Sequence, residues 1–383
     1  MAKQPCAPDR LPLTELDWRG VLPLVGKANA CLARYDGMLQ TLHNPGVLLS
    51  PITANEAVLS SKIEGTQATL DEVLEADAGM LTSEARRGDI EEITNYRDAV
   101  RLAEQSLAER PITLSLIKEV HQRLLQGVRG REKTPGAFRE DQNWIGRAGD
   151  PIERARFIPP SPIVLKVELE HWEAYLHSKD EDPILQTALA HAQFEILHPF
   201  KDGNGRIGRM MIPLILHQRG ALSRPMFYMS EFLESHRSEY YDRLLAITEQ
   251  GDWRGWINFF LSGMIAQAES NLDKVKAIRD LYEETRRRVV ELTHSQFAMA
   301  TVDAFFTQPM LPAPSFELRA GFNNRASANG MLRQLEGAGI ITRIREGSGR
   351  QPAVYAMPEL INVAEGRRVF KRYDEPREAS NGP

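Results

Sequence analysis

The sequence predicts an all-α protein. Apolar residues recur at helical spacing in long stretches, as in Ile184, Leu185, Ala188, Leu189, Ala192 and Ile196, and again in Ile207, Met210, Met211, Leu214 and Ile215. A further run keeps the period through 264–294, with Leu272, Val275, Ile278, Leu281, Val289 and Leu292. Period-two alternation is limited to short pieces within 134–163 and 340–356. The 383 residues suffice for two or three domains, and 42% apolar with 26% charged residues is an ordinary globular composition. A net charge of −5 argues against wholesale nucleic-acid binding. No apolar stretch approaches membrane-spanning length, and residues 1–13 lack the apolar run of a signal peptide. Cys6 and Cys31 form no metal spacing, so a reducing, cytoplasmic location is expected.

Taken in order, a Pro-rich arm leads into a helix through Leu22, Val25, Ala28, Leu32 and Tyr35, ended by a turn at His43-Asn44-Pro45-Gly46. Thr53-Ala54-Asn55-Glu56 has the T-x-x-E spacing of a capping box, in which both side chains bond backbone N–H groups at a helix start. The helix it would open carries Ser60 and Glu64 on one face, and Gly65 stands where a left-handed stop is needed. Residues 66–109 read as charged helix. Arg110-Pro111 breaks the pattern, which places a boundary near 110, and Thr113 can cap the next helix. Residues 134–163 are rich in Pro and Gly, with two short apolar pieces that suggest a hairpin. Pro159 and Pro160 lack N–H groups, so its edge cannot pair fully. Pro213 should kink or break the helix that holds it. The adjacent Tyr240 and Tyr241 face different ways, so one can be core while the other borders a pocket. Trp253, Trp256, Phe259 and Phe260 read as core, and 264–294 as a connector with Arg286, Arg287 and Arg288 on a solvated face. The C-terminal order of helix, Gly321 turn, helix through Ala328 to Leu335, strand at Ile340 to Ile344, Gly347-Ser348-Gly349 turn and strand at Ala353 to Ala356 resembles a winged helix. Between 315 and 350, six Arg stand against three acids, a modest excess. DNA and protein both stay open as the partner of this module, with protein or self-association favoured.

One stretch, His198-Pro199-Phe200-Lys201-Asp202-Gly203-Asn204-Gly205-Arg206-Ile207-Gly208-Arg209, has a composition that apolar packing does not call for. Pro199 biases His198 away from helical angles, so a helix should stop there. Gly203 and Gly205 let the chain turn and come close to a ligand. The loop empties onto a new helix, whose N-terminal N–H groups favour an anion. Arg206 and Arg209 are three apart and can flank that entrance with forked donors. Asn204 can donate to a phosphate oxygen, and Asp202 fits beside phosphates if magnesium lies between. His198, neutral near pH 7, can take a proton from an attacking hydroxyl. Phosphoryl or nucleotidyl transfer is the chemistry these residues suit. His191, Glu195 and His198 share a helical face but do not make the H-E-x-x-H zinc pattern, and His191 and Glu195 are read as satisfied structural groups.

This stretch resembles the Fic signature H-P-F-x-[D/E]-G-N-G-R-x-x-R at every specified position. The resemblance implies transfer of AMP from ATP to a Ser, Thr or Tyr hydroxyl of a target protein. His198 would be the base and Asp202 the Mg2+ ligand. Gly203, Asn204, Gly205, Arg206, Ile207, Gly208 and Arg209 would hold the nucleotide, with Arg209 at the γ-phosphate. Ser60-Ser61-Lys62-Ile63-Glu64-Gly65 is similar to the Fic inhibitory motif [S/T]-x-x-x-E-[G/N], which implies that Ser60 and Glu64 restrain Arg209. In some relatives this Glu also helps remove AMP. Residues 134–163 resemble the Fic flap, so Arg154, Ala155, Arg156 and Phe157 would lie nearest the nucleotide, with Tyr240 and Tyr241 on its adenine side. The expected organisation is an N-terminal helical region with the inhibitory helix (1–109), a Fic helical core with a small β-hairpin flap (110–265), a helical connector (266–300) and a winged-helix-like domain (301–383). Self-modification and a homodimer are compatible with this, and no membrane partner is expected. The rivals are a phosphotransferase with another donor on the same scaffold, and a DNA-binding regulator with an idle site.

Overall fold

The structure, a computed structural model, describes residues 4–368 apart from 15, 81–82, 128–130, 148 and 180. Residues 1–3 of the Pro-rich arm and 369–383 of the expected C-terminal domain lie outside the described residues. The helices are α1 (Leu22–Thr41), α2 (Pro45–Leu48), α3 (Ser50–Ile63), α4 (Leu70–Asp77), α5 (Glu84–Leu107), α6 (Leu114–Leu124), α7 (Pro162–His177) and α8 (Pro183–Leu197). They continue as α9 (Asn204–Gln218), α10 (Ser230–Ser235), α11 (Arg237–Gln250) and α12 (Trp253–Thr293). The C-terminal elements are α13 (Ala298–Thr307), β1 (Met310–Pro312), α14 (Ala313–Arg319), α15 (Arg325–Gly337), β2 (Thr342–Arg345), β3 (Val354–Ala356) and α16 (Pro358–Glu365). The chain is thus mostly helical with one small antiparallel sheet.

Local chemistry sets several of these boundaries. Thr113 caps α6, its hydroxyl accepting from the Leu116 N–H at 3.1 Å. Asp182 caps α8 by accepting from the N–H groups of Ile184 and Leu185, and Pro183 occupies the first helical position, where no donor is needed. The capping box expected at Thr53 and Glu56 does not form. Helix α3 starts earlier, at Ser50, and Thr53 bonds back to the Leu49 carbonyl from within it. A capping box does open α4, between Thr69 and Glu72. Pro213 does not break its helix, for α9 runs on to Gln218.

The chain divides into two compact units, one of residues 1–40, 56–67 and 91–271, the other of 41–55, 68–90 and 272–383. The division departs from the expected linear segments because α3, α5 and α12 each supply residues to both. In particular, α12 is one helix of 41 residues, so the last helix of the core and the expected connector are the same element.

In the first unit, α8 is the central helix. Every residue from Ile184 to Leu197 except Glu195 is buried, as expected of a helix apolar all round. It packs against α7, α9 and α11. Trp172 and Trp256 are buried beside it and donate their indole N–H groups to the carbonyls of Ala190 and Ala188 at 2.9 and 2.8 Å. Burying each of these rings is worth roughly 1.5–3 kcal/mol or more, provided the indole N–H finds such a partner. The N-terminal arm, which no periodicity marked, is held by Asp9. Its carboxylate accepts from Trp253 Nε1 at 2.7 Å and its carbonyl from Gln193 at 2.8 Å. The expected hairpin in 134–163 contracts to a single antiparallel pair, Ile145 opposite Phe157. A 3-10 turn, Ile152–Arg154, fills the connection, and Pro159 and Pro160 offer no donors to extend it.

In the second unit the strands run in the order β1-β3-β2, both pairs antiparallel. Met310 faces Ala356 across β1–β3, and Thr342 faces Ala356 across β2–β3. A bulge between Arg343 and Arg345 shifts the β2 register. All three residues of the central strand are buried. Helix α14 packs on α13 and α15. The turn at Gly321 takes φ +72, open to glycine without strain. Strand β1 and helix α16 were not legible beforehand. Arg286, Arg287 and Arg288 are exposed, as expected.

Candidate active site

The His198–Arg209 loop is built by its own residues. Helix α8 stops because His198 adopts φ 44, ψ 59, a left-handed conformation compatible with the proline that follows. Phe200 is fully buried, stacked on the His121 ring at 3.6 Å. Asn204 closes the loop: its Oδ1 accepts from the Phe200 N–H at 2.8 Å, and its Nδ2 donates to the Phe200 carbonyl at 2.9 Å. Gly203 has φ 80, and a Cβ there would also press on Leu124 and His121. Helix α9 then starts at Asn204. The Ile207 N–H is already bonded to the Gly203 carbonyl, which leaves the N–H groups of Asn204, Gly205 and Arg206 without helical partners. His121 fixes the far side. Its Nδ1 accepts from the Gly136 N–H, so its Nε2–H must donate to the Asp202 carbonyl at 3.0 Å.

Arg209 is buried and bound to α3. Its Nε donates to Ser60 Oγ at 3.0 Å, and its Nη2 donates to the Ser60 carbonyl at 2.9 Å and to Glu64 Oε1 at 2.6 Å. Burial would raise the Glu64 pKa, but Arg209, helped by Arg206 and His198, outweighs it and holds the carboxyl below the usual range. Gly205 leaves room for this pair. A Cβ there would stand 2.3 Å from Glu64 Oε1 and 2.8 Å from Arg209 Nη1. Arg206 is tied elsewhere, donating to Glu92 at 3.2 Å with Asp202 Oδ1 at 3.6 Å.

These groups border a cavity of about 990 Å3. Its lining includes Glu64, His198, Gly205 and Arg209 together with Trp144, Arg154, Phe157 and Tyr241. Burial pushes the His198 imidazole down to about 4, opposed by Glu64 and Asp202, so it is neutral near pH 7. Its Nδ1 has no hydrogen-bond partner among the described residues. The cavity thus joins a neutral base, a helix N-terminus and a guanidinium, a set suited to an anionic substrate that loses a leaving group.

A family model described as Fic/DOC family matches residues 111–216, and one described as Fic/DOC family N-terminal matches 22–105. The chain thus carries a Fic/DOC N-terminal domain followed by a Fic/DOC domain. It is 33% identical over 151 residues (39% of this chain) to the protein adenylyltransferase Fic of Aedes aegypti, and 32% identical over 172 residues (44%) to that of Drosophila virilis. The matches span only 27% and 32% of those relatives' lengths. Among solved structures, a Fic family protein from Desulfovibrio desulfuricans G20 shares the fold with a TM-score of 0.58 at 19% identity, over 93% of this chain and 98% of that one. A Fic domain-containing protein from Bacteroides thetaiotaomicron gives 0.54 at 20% identity, over 65% and 97%.

Several residues of the Fic motif do other work than their spacing suggested. Asn204 closes its own loop through Phe200, which engages its Oδ1 and one of its two Nδ2 donors. Arg206 does not line the cavity and does not pair with Arg209 around one entrance, because Glu92 holds it. Ile207 is core. Gly208 is a packing glycine, since a Cβ there would stand 2.3 Å from Glu195 Oε1 and 3.4 Å from the His191 ring. Arg154, Arg156 and Phe157 line the cavity but Ala155 is buried beneath them, and Arg156 pairs with Asp242. Tyr241 lines the cavity and Tyr240 does not. Tyr240 is buried with its hydroxyl 3.0 Å from His191 Nε2, whose Nδ1 donates to the Gly208 carbonyl. His191 is therefore satisfied, whereas Glu195 is not fully so: its Oε1 lacks a partner among the described residues, and burial pushes its pKa up to about 7. His121 was missed. Its position among Ile117, Val120 and Leu124 marked it only as one more buried helical residue.

Proposed function

We propose that this protein transfers AMP from ATP to a hydroxyl side chain of a target protein, and that Glu64 holds it inactive. The observation that carries this reading is the seat of Arg209. Its donors lie at the cavity beside an open helix N-terminus, and Glu64 occupies one of them. An incoming triphosphate tail would meet a carboxylate where it needs a guanidinium. Misplacement of about 1 Å can cost on the order of a hundredfold in rate.

In the released enzyme, the target oxygen bonds to the α-phosphorus as its proton passes to the neutral imidazole of His198. The bond from the α-phosphorus to the bridging oxygen breaks, and pyrophosphate leaves with that electron pair. The backbone N–H groups of Asn204, Gly205 and Arg206 bind phosphate oxygens, and Arg209 binds the outer phosphate. Asp202 is suited to hold magnesium: its side chain is 43% exposed, and one oxygen accepts from the Gly203 N–H at 2.6 Å while the other has no hydrogen bond among the described residues. Magnesium would supply neutralisation of phosphate charge there.

We read the second unit's α13–α15 with its sheet as a winged-helix module. The unpaired cysteines, and the absence among the described residues of a helix long and apolar enough to cross a membrane, fit a cytoplasmic enzyme. Incubating the Glu64→Gly protein with ATP labelled at the α- or the γ-phosphate tests the transfer. Label from the α position in protein supports it, and label from the γ position means a phosphotransferase. No label, with tight and salt-dependent DNA binding, means a regulator.

A further inference from the structure

Arg139 is 3% exposed and has no carboxylate partner among the described residues. A buried cation without a counter-charge is unfavourable unless its donors are satisfied. Here carbonyls satisfy them. Nε donates to the His198 carbonyl at 2.9 Å, Nη2 to those of Leu197 at 3.3 Å and Pro160 at 2.5 Å, and Nη1 to that of Asp141 at 3.3 Å. The Arg139 backbone N–H donates to the Pro199 carbonyl at 2.9 Å. One residue therefore takes three consecutive carbonyls, 197 to 199, at the end of α8. Those of Leu197 and His198 are groups that a helix C-terminus leaves unpaired, at the negative end of its dipole. The same guanidinium reaches Pro160, which roots the returning limb of the flap three residues beyond Phe157.

His198 needs this support. Its left-handed backbone is unfavourable for a residue with a side chain and persists only where neighbours over-determine it. We infer that Arg139 is the positioning residue of the base: it fixes the backbone that aims His198 and ties that backbone to the root of the flap. This rests on His198 acting as the base in AMP transfer. The guanidinium also acts on the imidazole through space. After burial, it favours the neutral ring, whereas Glu64, Asp202 and the local backbone near Glu195 favour the protonated one. Lysine at 139 would keep the charge but could not reach the carbonyls of Leu197, His198 and Pro160 together.

The test uses the full chain carrying Glu64→Gly, with α-labelled ATP and a cell lysate as acceptor. Initial rates are measured against ATP concentration, and the His198 ring is titrated by NMR. Arg139→Lys should lower kcat by roughly 30- to 100-fold with the KM for ATP within about twofold, and leave the His198 titration in place. Arg139→Met should move that titration upward. Parental kcat in Arg139→Lys, a loss confined to KM, or an unmoved titration in Arg139→Met would each overturn the assignment. Should Arg139→Met not fold, Arg139→Lys decides alone. Should the parent incorporate no label, the transfer reading fails, and backbone chemical shifts of His198 still decide whether Arg139 holds it. Loss of the left-handed signature in Arg139→Lys supports the hold, and its retention contradicts it.

Discussion

At Gly205, the missing side chain leaves room for Glu64 beside Arg209. A Cβ there would stand 2.3 Å from Glu64 Oε1, and that oxygen accepts from a guanidinium that Ser60 already holds at two points. The charge state of this restraint is set by Arg209. A carboxyl whose folded pKa is depressed contributes its stabilisation above the unfolded value and loses it as pH falls through the folded one. The Glu64 pKa is held below the ordinary carboxyl range. The restraint should therefore not relax anywhere near neutrality. The ratio of α-label transfer by Glu64→Gly to that by the parent chain should stay large and flat from about pH 6 to about pH 8. A ratio that collapses toward one inside that window would mean that another group governs inhibition. That Ser60 and Glu64 share a helix face was legible from their spacing, whereas their contact with Arg209 was expected only from the likeness to the Fic inhibitory motif. What could not be read was the partner Asn204 would choose. Asn204 and Phe200 are four apart in sequence, yet the loop that joins them is closed by the Asn204 amide itself.

Helix α3 presents Glu56, Ser60 and Glu64 one turn apart on one face. Read locally, Thr53 and Glu56 made a helix start. In the fold, Glu56 is buried and accepts from the Ser230 hydroxyl at 2.5 Å and the Ser230 N–H at 3.2 Å, from a residue 174 positions away. No window of local sequence contains that information. Burial pushes the Glu56 pKa up to about 7, with Ser230 and Arg209 acting to lower it. A raised carboxyl stabilises fully below its unfolded pKa, and that contribution is lost as pH rises through the folded one. Between about pH 4.5 and pH 7 the parent chain should thus lose stability on the order of 3 kcal/mol from this residue. Glu56→Gln keeps an acceptor for Ser230 and removes the titration. Its Tm should exceed that of the parent at pH 8 and approach it at pH 5. A constant Tm difference across pH would contradict the burial argument. Among other elements, α8 was legible because its apolar period is unbroken, whereas Pro213 suggested a kink or break in α9 and the single helix α12 was read as two elements. The flap was legible only as a break, since one bridge between Ile145 and Phe157 is too little pairing for alternation to report.

For the whole molecule, composition and periodicity identified the helical class and the order of α14, α15, β2 and β3, but not β1, α16 or the division into units. Linear boundaries failed because α3, α5 and α12 are shared, and a helix carries no sequence mark where its neighbours change. The Asp9 anchor of the N-terminal arm was hidden for the same reason as the Glu56 contact: its partners Gln193 and Trp253 lie 184 and 244 residues away. Asp202 and the α9 N-terminus fall in the first unit, as do Glu64, His198, Gly205 and Arg209, which line one cavity. A crystal structure of Glu64→Gly bound to a non-hydrolysable ATP analogue tests this arrangement most directly. The expected result is an α-phosphate beside the His198 imidazole, phosphate oxygens on the α9 N-terminus and the outer phosphate on Arg209. A triphosphate held away from His198, or an Arg209 that meets no phosphate, would contradict it.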